Sequence, residues 1–120
     1  LPSFLKGCNS INSYHLQHER LGIKDLVRKD EIKQISICDL IKMYEITKID
    51  FLKIDTEGGD CYILDDLYNF LIEGGIEYPN MIEFESNELS DHSHVDKVVA
   101  NYINIGYSLK HRGSDTVLVL

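Results

Sequence analysis

The sequence predicts an α/β domain with a largely parallel sheet, helices on both faces and an antiparallel hairpin at its C-terminal end. Three observations predict it. Short β-prone runs alternate with amphipathic helical stretches from Ile32 onward. The intervening helical stretches are long enough to carry right-handed crossovers between parallel strands. The last two β-prone runs are joined only by His111 to Asp115, a connection too short for a parallel crossover.

The elements follow in order. Residues 1–31 form a lead-in of mixed composition, in which Leu16 to Lys29 is polar and weakly helical, and 32–120 form the core of a single domain. Ile35-Ser36-Ile37-Cys38 is β-prone and stops at Asp39, an N-cap for a helix carrying Leu40, Ile41, Met43 and Tyr44. Ile49 to Ile54 reads as a strand, followed by the turn Asp55-Thr56-Glu57-Gly58-Gly59 and a helix capped by Asp60. Ile63, Leu64, Leu67, Phe70 and Leu71 give that helix one apolar face, and Gly74-Gly75 ends it. Met81 to Glu85 is the next strand, and Asn87, Asp91 and His92 fall in the loop behind it. Val95, Val98, Val99, Tyr102 and Ile103 then share a helix face that Gly106 closes, and Tyr107 to Lys110 and Thr116 to Leu120 make the hairpin.

Composition excludes several classes. With 43% hydrophobic and 27% charged residues, the 120-residue chain has the balance of an ordinary folded domain. No apolar run approaches the roughly 18 to 20 residues that span a bilayer, and Leu1 to Ser10 lacks the regions of a signal peptide, so a soluble protein is expected. A net charge of -8 without a Lys/Arg cluster opposes nucleic-acid binding. The three cysteines, Cys8, Cys38 and Cys61, are scattered and form neither a disulfide framework nor a zinc pattern, which fits a reducing cytoplasm.

In a parallel sheet the ligand crevice lies beyond the carboxyl ends of the strands. That rule brings Asp55 and Glu57 to one edge with Glu85, Ser86, Asn87 and the Arg112 to Asp115 turn. Carboxylates there can accept a proton, bind a cation or ligate a hard metal, and Gly58-Gly59 lets the backbone turn tightly beside them. They could also simply complement a helix dipole. Lys53 interrupts an apolar strand on the face of Phe51 and Asp55, and either pairs with Glu83 or Glu85 or positions a substrate. His92 and His94 flank a helix start as loop or cap residues, with a substrate contact open to His92. His15 and His18 are three apart without a third ligand, and no histidine stands beside a cysteine in sequence.

One stretch carries a family resemblance. Lys53-Ile54-Asp55-Thr56-Glu57-Gly58, with Ile49 to Leu52 before it and Gly59-Asp60 to Ile63-Leu64 after it, resembles the lysine-isoleucine-aspartate-x-glutamate-glycine signature of FkbM-type methyltransferases. Ile35 to Leu40, Met81 to Glu85 and Gly106-Tyr107 agree with the family's element order, and Lys6 to Ile11 is loosely similar to its serine-containing loop. Gly59-Asp60 departs from the usual alanine-glutamate, and Asp66 stands where glycine is common.

The resemblance implies an S-adenosylmethionine-dependent enzyme with a class I, Rossmann-like sheet of seven strands, the last antiparallel. This chain would supply its C-terminal half. The family's glycine-rich cofactor loop is not present, since none of the eight glycines forms a G-x-G, and a fragment inactive by itself is expected. The implied reaction is O-methyl transfer to a small-molecule, glycan or lipid hydroxyl, with Asp55, Glu57 and Lys53 catalytic, Glu85, Asn87 and His92 on the substrate side, and no metal assigned. A noncatalytic binding or scaffold module and a phosphoacceptor regulatory domain remain the alternatives. The latter lacks the early acidic pair that its chemistry needs.

Overall fold

The computed structural model describes residues 34–120. The loop expected at Lys6 to Ile11, the helical stretch at Leu16 to Lys29, His15, His18 and Cys8 lie outside the described residues. Seven elements follow in the order α1 (Ile37–Met43), β1 (Phe51–Ile54), α2 (Asp60–Ile72), β2 (Met81–Glu85), α3 (His92–Asn104), β3 (Ser108–Arg112) and β4 (Asp115–Val119).

The expected strand at Ile35 to Cys38 is instead the entry to α1. Ser36, extended at φ -74° and ψ 158°, is the N-cap, and its Oγ accepts from the Asp39 N–H at 3.1 Å. Asp39 therefore sits in the first turn, where its charge complements the helix dipole, and is not itself the cap. Ile37 and Ile41 stand one turn apart on the side facing the core, so a helical stripe starts inside the run that looked β-prone.

The four strands run in the order β1-β2-β4-β3. β1 and β2 are parallel, from Phe51 beside Met81 to Ile54 beside Phe84. β4 is antiparallel to both β2 and β3, as the hairpin reading requires, and a register shift falls between Leu109 and His111.

Pairing in register means that sequence alternation becomes two sheet faces. Ile54, Ile82, Phe84 and Leu118 point to the face that meets Leu64, Leu67, Leu71, Val95, Val98 and Tyr102 in one buried core. Each fully buried aliphatic side chain there stabilises the fold by about 1.5–3 kcal/mol. The other face carries Phe51, Lys53, Met81, Glu83, Val117 and Val119, none of them buried. Among the described residues the helical cover thus belongs to one face, where two were expected. Both crossovers step the same way across the sheet, so right-handedness puts α2 and α3 on the same side.

Two tyrosines tie the core to backbone. Tyr102 donates from its hydroxyl to the Leu64 carbonyl at 2.8 Å, and Tyr107 to the Pro79 carbonyl at 2.5 Å. Burial pushes both phenols well above their ordinary pKa. Ile103, expected on the buried face of α3, is exposed, because the stripe that reaches the core is Val95, Val98, Val99 and Tyr102. Gly75 allows a close approach: a Cβ there would lie 2.5 Å from the Phe70 ring.

Candidate active site

The carboxyl ends of β1 and β2 converge with the β3–β4 turn, as the topological rule anticipates. One residue beyond the Ile54–Phe84 pair stand Asp55 and Glu85, and Glu85 in turn pairs with Asp115 at the start of β4. The turn is laced to β2 by Ser86: its N–H donates to the Ser114 carbonyl at 2.8 Å and its hydroxyl to the Gly113 carbonyl at 2.9 Å. Thr116, fully buried, donates to the Ser86 hydroxyl at 2.6 Å. Residues far apart in sequence are fixed to one rim.

The turn after β1 is bent sharply. Glu57 has φ 54° and Gly58 φ 120°. For a residue with a Cβ the left-handed region costs about 1–2 kcal/mol, and glycine at 58 avoids that penalty at the second position. The bend returns Glu57 toward β2, so that one carboxylate oxygen from each of Asp55, Glu57 and Glu85 lies within 4.8 Å of the other two. Asp55 is exposed, and Glu57 and Glu85 are half-buried.

The two neighbouring acids act on Glu85. The pKa of Glu85 is raised to about 7, first by burial, then by the charge of Glu57 and by a hydrogen bond and charge from Asp55, with a smaller contribution from Asp60. Asn87 also donates to this carboxyl, Nδ2 to Glu85 Oε1 at 2.8 Å, and its own Oδ1 accepts from the Leu89 N–H at 2.9 Å. The site therefore combines exposed carboxylate with a carboxyl that holds its proton close to neutrality. Such a group can accept or return a proton at little driving force. The oxygen donors would equally suit a cationic ligand group or a hard cation.

The other expected residues are placed as follows. Lys53 is on the same face as Asp55, 3.4 Å from Glu83 and 59% exposed, which favours the cross-strand ion pair among its two readings. His92 is exposed at the first position of α3, whose N-cap Asp91 accepts from the Ser93 and His94 N–H groups. Those hydrogen bonds hold the Asp91 carboxyl below its ordinary pKa. His94, two residues on, turns inward instead: its Nε2 lies 2.7 Å from Asp65 Oδ2, and the Tyr62 ring meets it edge-on at 4.9 Å. Cys61 is pushed up to about 12 by burial, then by Asp60, Asp65 and Asp91, which leaves it a poor nucleophile at neutral pH.

Two features escaped the sequence. Asp60, expected to cap α2, is its first residue and is buried, while Gly59 is the N-cap and makes no side-chain cap bond. The signal that could have shown it is Thr56, spaced so that the turn folds its hydroxyl onto the Asp60 carboxylate at 2.6 Å. The Asp65–His94 pair joins α2 to α3 across a distance in sequence that no local pattern encodes.

A four-stranded mixed sheet with an acidic cluster at the carboxyl ends of its parallel strands defines an α/β domain of the kind that carries enzymes. A family model of the methyltransferase FkbM domain matches residues 6–109. The chain belongs to that family and is a methyltransferase domain by membership. No curated protein and no solved structure matches it.

Proposed function

We propose that the chain is the C-terminal half of a class I, S-adenosylmethionine-dependent O-methyltransferase domain, acting in the cytoplasm on a hydroxyl of a small molecule, glycan or lipid. The observation that carries the reading is the gathering of Asp55, Glu57 and Glu85 at the carboxyl ends of adjacent parallel strands in a member of this family. The antiparallel β4 agrees with the family's antiparallel last strand. Cys38 and Cys61, both free, suit a reducing compartment. Among the described residues no helix is long and apolar enough to cross a membrane.

S-adenosylmethionine supplies an electrophilic methyl group on a positively charged sulfur. The carboxylates of Asp55 and Glu57 complement that charge, whereas residues for its methionine and ribose parts find no G-x-G in this sequence. Held beside these carboxylates, it would supply the methyl group to an acceptor hydroxyl, whose proton has to be taken up by a side chain of the site. Asp55, the exposed carboxylate, takes the proton, with Glu57 as the second candidate. Glu85 at the end of β2 and Asn87 in the loop behind it orient the acceptor, and His92 borders it at the start of α3. Lys53 acts from behind as a positioning residue through Glu83, which stands two residues before Glu85 on the same sheet face.

The test is transfer of labelled methyl to hydroxyl acceptors by a chain that also includes the glycine-rich half. Asp55→Ala is expected to reduce turnover by about 100-fold or more, the ordinary worth of a positioned base, with the circular dichroism spectrum unchanged. Turnover at the unsubstituted level removes Asp55 from the chemistry. Lys53→Met is expected to change stability by no more than about 1 kcal/mol, as for an exposed ion pair, and to lower kcat more than Tm. Full activity with a lowered Tm leaves Lys53 purely structural.

A further inference from the structure

The acidic trio is assembled from two segments that share no covalent or ladder constraint beyond the last residue pair, so something must hold the Asp55-Glu57 turn against the end of β2. Asp60 is the group placed to do so. The residue is 4% exposed, and both of its carboxylate oxygens are used. Oδ1 accepts from the Thr56 N–H at 2.9 Å and from the Thr56 hydroxyl at 2.6 Å, in the middle of the turn. Oδ2 accepts from the Glu85 N–H at 3.0 Å, on β2. Thr56 Oγ1 accepts in turn from the Gly59 N–H at 3.0 Å, closing the turn on itself.

We propose that Asp60 is a positioning residue of the active site, a buried carboxylate that clasps the Thr56 turn and the Glu85 backbone together and thereby sets the spacing of Asp55, Glu57 and Glu85. A neutral amide at this position does not do the same. An asparagine of equal size has one acceptor oxygen and one NH2 group, and so sets a donor against either the Thr56 or the Glu85 N–H. Leaving one of those N–H groups buried without a partner is unfavourable, and the turn would move away from β2. The clasp also explains why Asp60 is absent from the capping role the sequence suggests: Oδ1 is taken by Thr56 and Oδ2 by the Glu85 N–H.

The proposal rests on the methyl-transfer reading for its purpose but not for its test. The isotopically labelled chain is compared with Asp60→Asn, Asp60→Glu and Thr56→Val by NMR and thermal melting. In Asp60→Asn the Glu85 amide is expected to exchange about tenfold faster or more and its proton resonance to move upfield, with the Thr56 amide following. The titration of the Glu85 carboxyl moves in the same variant, because its distance to the neighbouring acids changes. Asp60→Glu, which keeps a carboxylate, restores part of the Glu85 amide protection. Thr56→Val removes one of the two bonds to Oδ1 together with the acceptor of the Gly59 N–H, and the Glu85 amide, bound to Oδ2, responds through Asp60 in the same direction.

A lowered Tm in Asp60→Asn with the Glu85 amide and carboxyl behaving as in the unsubstituted chain overturns the proposal and leaves Asp60 an ordinary anchor of α2. If Asp60→Asn does not fold, an unchanged Glu85 amide in Thr56→Val overturns it alone. Failure of methyl transfer in the unsubstituted enzyme would sink the functional reading and leave these observations standing, so the two failures are distinguishable.

Discussion

Glu85 is where the site's chemistry becomes measurable at the scale of one residue. Its pKa stands near 7 against an ordinary 4.5, so the folded chain prefers this carboxyl protonated. Linkage fixes the sign: a raised folded-state pKa contributes stability that is fully present below about 4.5 and is lost as pH rises through about 7. Glu85→Gln mimics the protonated form and can keep the Asn87 bond. Its Tm is expected to exceed that of the unsubstituted chain above pH 7 and to equal it near pH 4, measured by thermal melts across that interval. The gain is held to a few degrees because the carboxyl is partly solvated. A Tm difference independent of pH would show that the three carboxylates do not share protons. The sequence made Asp55, Glu57 and Glu85 visible as members of one edge, since strand order and the two-residue period suffice for that. It could not show their oxygens within 4.8 Å, which depends on the left-handed bend at Glu57 and on the Asp60 clasp.

Among the elements, α2 is the one on which both the core and the site depend. It carries Leu64, Leu67 and Leu71 into the core from one side, and its first residue holds the site together. Leu67, with no exposed surface, is expected to cost about 2–5 kcal/mol on truncation to Ala, measured by urea denaturation, because the space under the sheet cannot collapse around the missing atoms. A loss below about 1 kcal/mol would mean that this face of α2 is loosely packed. This helix was legible from its leucine spacing, as was α3 from its valines, because amphipathic periodicity survives whatever the tertiary context. α1 was legible only from Asp39 onward, and its start was not: Ile35 to Cys38 is too short for period to separate strand from helix, and the Ser36 cap decided it. The face covered by the helices was equally hidden, since it follows from the direction of successive crossovers rather than from any local pattern.

At the scale of the whole molecule, the described sheet ends at β1, which pairs on one side only, with β2. Phe51, on the face away from the core, is 53% exposed. A methyltransferase sheet of the class proposed continues beyond such a strand, and its preceding strands bring the loop and the acid that hold the methionine and ribose of the cofactor. The present residues would contribute the carboxylate rim beside the methyl group and few other contacts. The 120-residue chain is therefore expected to bind S-adenosylmethionine with a Kd weaker than about 1 mM, corresponding to less than about 4 kcal/mol, in isothermal titration calorimetry. The affinity should rise by orders of magnitude when the same residues are joined to the glycine-rich half, because the additional contacts are made without a further loss of translational freedom. Micromolar binding by these residues alone would place the cofactor-holding groups within them and overturn the division of labour between the two halves.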